Sequence, residues 1–192
     1  MDIKTVFAMS SLGIGIAAYI PYWRDLLRGK TIPHPFTWLI FMIVQSIGVA
    51  GVFYGGGGWK GAVWMMLGSI SCFFIFLWGL KFGQKNIQLI DILLLALAFL
   101  GIILWSVYDQ PFWSIILICI TDTIAYLPTF RKSYHHPEEE TALAWFLFSV
   151  ATVFSILALE NYNFFTTTYS SLIAVLNLLL CLFLLFRRKM LQ

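Results

Sequence analysis

Charge is what this chain has least of. Only 11% of its 192 residues are Asp, Glu, Lys or Arg, while 60% are apolar, and the mean hydropathy is +0.87. Soluble domains carry about 25% charged residues, so too little polar surface is present to cover a water-exposed globule. A soluble enzyme and a nucleic-acid binder are both excluded on that ground, and the net charge of +3 implies no acidic partner. Cysteine is scarce as well. Cys72, Cys119 and Cys181 form an odd set inside apolar runs, which argues against a disulfide framework and offers no metal-ligand spacing. The histidines are His34, His135 and His136, and no Ser-His-Asp or His-x-x-Glu-His pattern accompanies them. No enzymatic chemistry is expected. Gly55–Gly58 is followed by no Lys-Ser/Thr, so it reads as a flexible loop and not as a phosphate cradle. His135 and His136 near Glu138–Glu140 admit a metal site, but a hydrated loop explains them better, and neither metal nor cofactor is expected.

Apolar runs are what the chain has in abundance. A spanning helix needs about 20 mostly apolar residues at 1.5 Å of rise each to cross about 30 Å of hydrocarbon. Charged and turn-forming stretches divide the chain into seven such segments, near 5–23, 35–54, 60–80, 87–108, 112–130, 141–159 and 166–186. The short connections leave no room for a soluble domain. The first segment is not expected to be a cleaved signal peptide, because Asp2 sits beside Lys4 and no A-x-A-type site follows.

Ten of the twelve cations fall after odd-numbered segments: Arg24, Arg28, Lys30, Lys81, Lys85, Arg131, Lys132, Arg187, Arg188 and Lys189. Lys4 and Lys60 lie on the other side. The positive-inside rule then predicts an integral multi-pass membrane protein with its N-terminus outside and its C-terminus in the cytoplasm, the bilayer being its first partner. Trp59, Trp64, Tyr108, Trp113 and Tyr162 are expected at the outer interface, and Tyr22, Trp23, Trp38, Trp78 and Trp145 at the inner one.

The chain repeats itself. Ala18-Tyr19-Ile20-Pro21-Tyr22-Trp23-Arg24 recurs as Ala125-Tyr126-Leu127-Pro128-Thr129-Phe130-Arg131 at an offset of 107, and the same offset pairs Trp38 with Trp145, Phe41 with Phe148 and Lys81 with Arg188. The expected fold is therefore an all-α membrane protein of seven transmembrane helices, two parallel three-helix bundles joined by a linker helix (3+1+3). Residues 1–85 make the first bundle, 86–110 the linker, and 111–192 the second bundle with a short cytoplasmic tail.

This layout, with each triplet's first helix ending in a proline and a basic loop, resembles the PQ-loop and SWEET transporter superfamily. The Pro-Gln dipeptide of that superfamily reads Pro21-Tyr22 and Pro128-Thr129 here, which makes the chain a divergent relative. Proline within a helix removes a backbone donor and crowds the carbonyl four residues back, Ala17 or Ile124. In lipid such a carbonyl needs a new partner, so two equivalent prolines suit hinges between half-bundles that rock.

Asp122 lies ten residues into the fifth segment, roughly 15 Å from its outer end and so near the midplane. A charged carboxylate there costs about 2.5–3.5 kcal/mol on insertion scales, so it must face the bundle interior or a cavity. One use is proton or cation coupling; the other is a neutral acid that hydrogen-bonds helices together. Its repeat counterpart is Gly15, and Tyr126 follows one turn below. The remaining acids fall at helix ends or in loops. Asn177 is the second deep polar residue, and its counterpart Ile70 stands between Ser69 and Ser71. In the SWEET-like families an asparagine on each triplet's third helix contributes to the substrate pocket, which Asn177 resembles. Gln45 and Thr152 are repeat equivalents on the second and sixth segments, either pocket residues or interhelical bonding groups.

The leading expectation is a transporter of a small polar solute (a sugar, amino acid or similar metabolite) working by alternating access. Its pocket would be lined by Asp122, Asn177, Ser69, Ser71, Gln45, Thr152, Tyr19 and Tyr126, with Pro21 and Pro128 as hinges. The second expectation is a receptor or interaction protein on the same scaffold, since KDEL receptors resemble SWEETs in fold yet bind peptides. No nucleic-acid partner is expected, and a homo-oligomer stays open.

Overall fold

The computed structural model describes residues 2–84 and 87–191, so Lys85, one of the ten clustered cations, lies outside the described residues. Among the described residues all regular structure is helical: α1 (Ile3–Leu27), α2 (Pro35–Tyr54), α3 (Gly58–Phe82), α4 (Leu89–Ser106), α5 (Pro111–Ala125), α6 (Leu127–His135), a 3-10 turn (Pro137–Glu139), α7 (Ala142–Leu157) and α8 (Phe164–Met190). The helix starts carry their own chemistry. Asp2 accepts the Lys4 backbone N–H at 3.3 Å ahead of α1, and Asn163 accepts those of Phe165 and Thr166 ahead of α8. Prolines 35 and 111 open α2 and α5, where a missing N–H leaves nothing unbonded.

Among the described residues, six helical stretches are long and apolar enough to cross a bilayer: α1, α2, α3, α4, the α5–α6 stretch Pro111–His135, and α8; α7 is apolar but only 16 residues long. Large apolar side chains such as Phe99 and Ile103 on α4, or Leu179, Leu182 and Phe186 on α8, stay exposed. Such a continuous apolar exterior is consistent with a multi-pass membrane protein embedded in lipid.

The fifth segment runs as one helical stretch, Pro111–His135, in which Tyr126, between α5 and α6, keeps helical dihedrals (φ −73°, ψ −23°) and Pro128 follows in the first turn of α6. Pro128 has no N–H to give to Ile124, so the hydrogen-bond ladder loses a rung there. Pro21 sits inside α1 in the same way, so each of the two equivalent prolines removes one rung from its helix.

α3 packs against both α1 and α2, and α8 against α7, α5 and α6, while Tyr22 of α1 also reaches Trp38 of α2 with ring centres 5.3 Å apart. The two clusters meet through α1 with α7, α2 with α5, α3 with α7 and α2 with α8. Moving each helix by 107 residues turns every one of these pairs into another of them. α4 lies outside both clusters and buries a single stripe, Asp91, Leu94, Ala98 and Gly101, against α2 and α5. Gly101 permits the close approach, and its carbonyl accepts the Ser114 hydroxyl at 2.7 Å.

Several tryptophans expected at the interfaces are inside. Trp38, Trp64 and Trp145 are buried in the core where the clusters meet. Asp91 and Glu140, expected at water, are buried too. Asp91 accepts the Gln88 N–H at 2.8 Å and stands 3.6 Å from His34, while Glu140 pairs with Lys132 at 2.5 Å. Both sit at the bundle's basic end, where cations and N–H groups replace water.

Candidate functional site

The centre of the bundle holds a cavity of ≈ 40 Å³ reached by every long helix except α4. Its wall comes from helix faces with turn spacing: Trp38 and Gln45 on α2, Trp64, Gly68 and Cys72 on α3, Phe148 and Thr152 on α7, Ile173 and Asn177 on α8. Tyr19 of α1 and Tyr126, between α5 and α6, complete it. Such a volume holds about one water molecule, far below the roughly 300–1,000 Å³ of small-molecule sites. The protein is closed around its centre.

The aromatic framework obeys the repeat. Tyr19 meets Phe148 with ring centres 4.8 Å apart, and its counterpart pair Tyr126–Phe41 is 4.9 Å apart. Trp38–Phe41 and Trp145–Phe148 are both edge-on at 5.8 Å. Trp38 and Trp145, each the other's counterpart, stack at 6.4 Å and 28°. Trp38 also borders a second void of ≈ 20 Å³ toward the basic end, lined by Trp145, Lys132, Glu140, Pro128 and Thr129. The tryptophan stack thus forms a wall between the two.

The polar groups of the cavity are largely bonded. Tyr126 Oη donates to Asn177 Oδ1 at 2.7 Å, Trp64 Nε1 donates to Thr152 Oγ1 at 2.9 Å, and Thr152 Oγ1 donates to the Phe148 carbonyl at 2.8 Å. Gln45 Nε2 points at Cys72 Sγ, 3.4 Å away, and its Oε1 lies over Gly68, in the space that a Cβ there would need. Weak sulfur acceptance leaves this amide the group best able to change partners.

Of the eight pocket residues expected from sequence, Gln45, Thr152, Tyr19, Tyr126 and Asn177 are brought together at the cavity. Ser69 instead bonds Ser46 at 2.7 Å and the Met42 carbonyl at 3.1 Å, and Ser71 bonds its own helix at Leu67. Asp122 is buried beside the cavity and not in its wall. Its Oδ1 has no hydrogen-bond partner among the described residues, and neither has the Tyr169 hydroxyl. The phenol comes into the range of the carboxyl without the geometry of a formed bond. Tyr169, Trp64, Trp38 and Phe148 are site residues that the sequence pattern alone does not select. The spacing of Tyr169, Ile173 and Asn177 at i, i+4 and i+8 on α8 is the signal that places Tyr169 on the face of Asn177.

Both ends of the bundle are tied across the two clusters. At the N-terminal end of α1, Lys4 donates to the Leu159 and Glu160 carbonyls, and Lys60 Nζ bridges Asp2 at 2.8 Å and Glu160 at 3.5 Å. The Lys60 hydrogen bond, and after it the Lys4 backbone N–H, holds the Asp2 carboxyl below the usual carboxylate range. At the basic end, Thr141 Oγ1 donates to Asp25 Oδ2 at 2.9 Å and Lys132 Nζ to the Ile32 carbonyl at 3.3 Å across the boundary, while Trp145 Nε1 and Lys132 both bond Glu140 within the second cluster. Comparison with protein-family models, curated proteins and solved structures returned no match.

Proposed function

We propose that this protein is a membrane transporter of a small polar solute that works by alternating access, with the two three-helix clusters as its moving halves and α4 as the linker of a 3+1+3 arrangement. The observation that carries this is the closed central cavity, walled from both clusters by repeat-related aromatic pairs and sealed at both ends by bonds that cross between them. An occluded carrier needs a polar site reachable from either end in turn, and this cavity lies where the two clusters meet. Gln45, Thr152, Asn177, Tyr19 and Tyr126 are the solute-facing groups of this mechanism. The Trp38–Trp145 stack and the Glu140–Lys132 pair close the basic side; Lys60, Asp2 and Glu160 close the other.

Pro21 in α1 and Pro128 in α6 supply the hinges, and Asp122 is the coupling residue. The likeness to the PQ-loop and SWEET superfamily belongs to this proposal, and so does the orientation with the N-terminus outside. Single cysteines in the Gly55–Gly58 loop and at Asn161 should react with an impermeant reagent from outside, and one at His135 should not; the reverse pattern overturns the orientation. The function itself is tested by uptake into liposomes over a panel of sugars, amino acids and related metabolites. Flux that falls on replacing Gln45 or Asn177 supports transport. Absence of any flux together with saturable peptide binding would establish the receptor alternative instead.

A further inference from the structure

Most of the cavity's polar groups have partners; the two groups behind it do not. Asp122 Oδ1 and the Tyr169 hydroxyl are both buried, at 2% and 1% residue exposure, and both lack a hydrogen bond among the described residues. An unsatisfied buried polar group costs about 1–3 kcal/mol, more if charged, so two facing one another ask for a ligand shared between them. We propose that Asp122 and Tyr169 form a proton-binding site, separate from the solute cavity, in which a single proton is held by the Asp122 carboxyl and hydrogen-bonded with the Tyr169 phenol.

The surroundings select a proton over a metal cation. Hard cations take about six or more oxygen ligands, whereas the two carboxyl oxygens, the phenol oxygen and the neighbouring Thr121 hydroxyl, also unbonded, fall short of that number. No group of three or more metal-ligating side chains exists among the described residues. The titratable groups facing Asp122 are Tyr169 on α8, Tyr126 at the end of α5, Cys119 on α5 itself and Cys72 on α3. Gly48 of α2 lies against the Tyr169 ring, and α4 packs on α5 with a stripe of Leu94, Ala98 and Gly101 that ends in Asp91. No cation is among them, so nothing nearby neutralises a bare carboxylate. Protonation adds one proton from water to a carboxylate oxygen and removes its charge; release returns that proton to water.

Tyr169 is held by packing. Its ring lies on Gly48 of α2, where a Cβ would collide with Tyr169 Cδ1 and approach Met65 Sδ to 2.9 Å. Met65 also lines the solute cavity, so one side chain touches both places, and movement of α2 against α8 would change proton access and cavity shape together. This deepens the transport reading and rests on it for its purpose, but the chemistry can be tested without any solute.

The test is infrared difference spectroscopy on the purified full chain in lipid nanodiscs, titrated with pH. A protonated-carboxyl band should appear on acidification and be lost in Asp122→Asn. In Tyr169→Phe it should persist but move to the frequency of an acid without a hydrogen-bond partner, and Gly48→Ala, which displaces the ring, should produce the same shift. Should Asp122→Asn fail to fold, isotope labelling of aspartate carboxyls in the unsubstituted protein identifies the band. No aspartate band at any pH, or one unmoved by both Tyr169→Phe and Gly48→Ala, overturns the site whether or not the protein transports anything.

Discussion

Gly15 and Asp122 occupy the same position in the two repeats, yet their neighbourhoods are opposites. Around Gly15 everything is filled: the Trp64 ring occupies the space that a Cβ would need, and its N–H is spent on Thr152 across the cluster boundary. Around Asp122 an aromatic ring again arrives from the third helix of the triplet and again crosses to the other cluster, where it covers Gly48. Here, however, the ring ends in a hydroxyl that meets a carboxyl, and neither is bonded. One half has turned the position into packing and the other into unsatisfied polarity. The shared scaffold therefore does not determine the chemistry; one glycine-for-aspartate difference and the choice of Trp64 or Tyr169 as the lid do.

The sharpest way to break this contrast is to transplant it. Gly15→Asp places a carboxylate under Trp64 with no space and no partner, and should cost roughly 4 kcal/mol or more, enough to prevent accumulation of folded protein. Asp122→Asn should retain a monodisperse, helical protein and lose only the pH dependence of transport, because an amide keeps the shape and lowers the burial cost. If thermal unfolding in detergent shows the two equally damaging, Asp122 is structural and the contrast is lost.

Gly15→Ala should destabilise by about 1–3 kcal/mol through overpacking against Trp64. Gly13→Ala in the same helix meets nothing within 4 Å and should stay within about 0.5 kcal/mol or gain slightly from helix propensity. Equal melting temperatures for the two variants would mean that the Trp64 lid yields freely. Trp64→Phe removes the donor to Thr152, whose hydroxyl keeps its bond to Phe148, so a loss of about 1 kcal/mol is expected for the hydrogen bond.

The smallest effect concerns the end seal. Because the Asp2 carboxyl is held below its ordinary range by Lys60 and then by the Lys4 N–H, its contribution is present above the unfolded-state value and is lost as pH falls through the lowered one. Acidification below about pH 4 should therefore loosen the N-terminal end first, seen as faster amide exchange near Asp2 and Lys60 and absent in Asp2→Asn.

Much of this was legible in the sequence because it is local or periodic. The seven apolar segments, the 107-residue offset and the pairing of Tyr19 with Tyr126, or Trp38 with Trp145, follow from hydropathy and spacing alone. What escaped is long-range. Tyr169 aligns with Ala62 in the other repeat, so symmetry gave it no weight, and its place is decided by the absence of a side chain at Gly48, two helices away. Glu140 reads as one of three acids in a hydrated loop until the fold sets Lys132 and the Trp145 indole against it. Trp64 reads as an interfacial aromatic because burial within a membrane bundle leaves no mark in composition.

The shortness of α7 has a mechanical consequence. Its 16 residues span roughly 24 Å, some 6 Å less than a typical hydrocarbon core of about 30 Å. Lipid along its exposed face, at Leu143, Phe146, Val153 and Leu157, has to compress, or headgroups have to dip toward the protein. Each ångström of such mismatch costs a fraction of a kcal/mol, and the deficit is largest on the flank of α7. Membrane thickness then becomes a variable that acts on this chain most strongly through α7, the helix that bears Trp145, Phe148 and Thr152, and thinner bilayers should relax it while thicker ones load it like a spring.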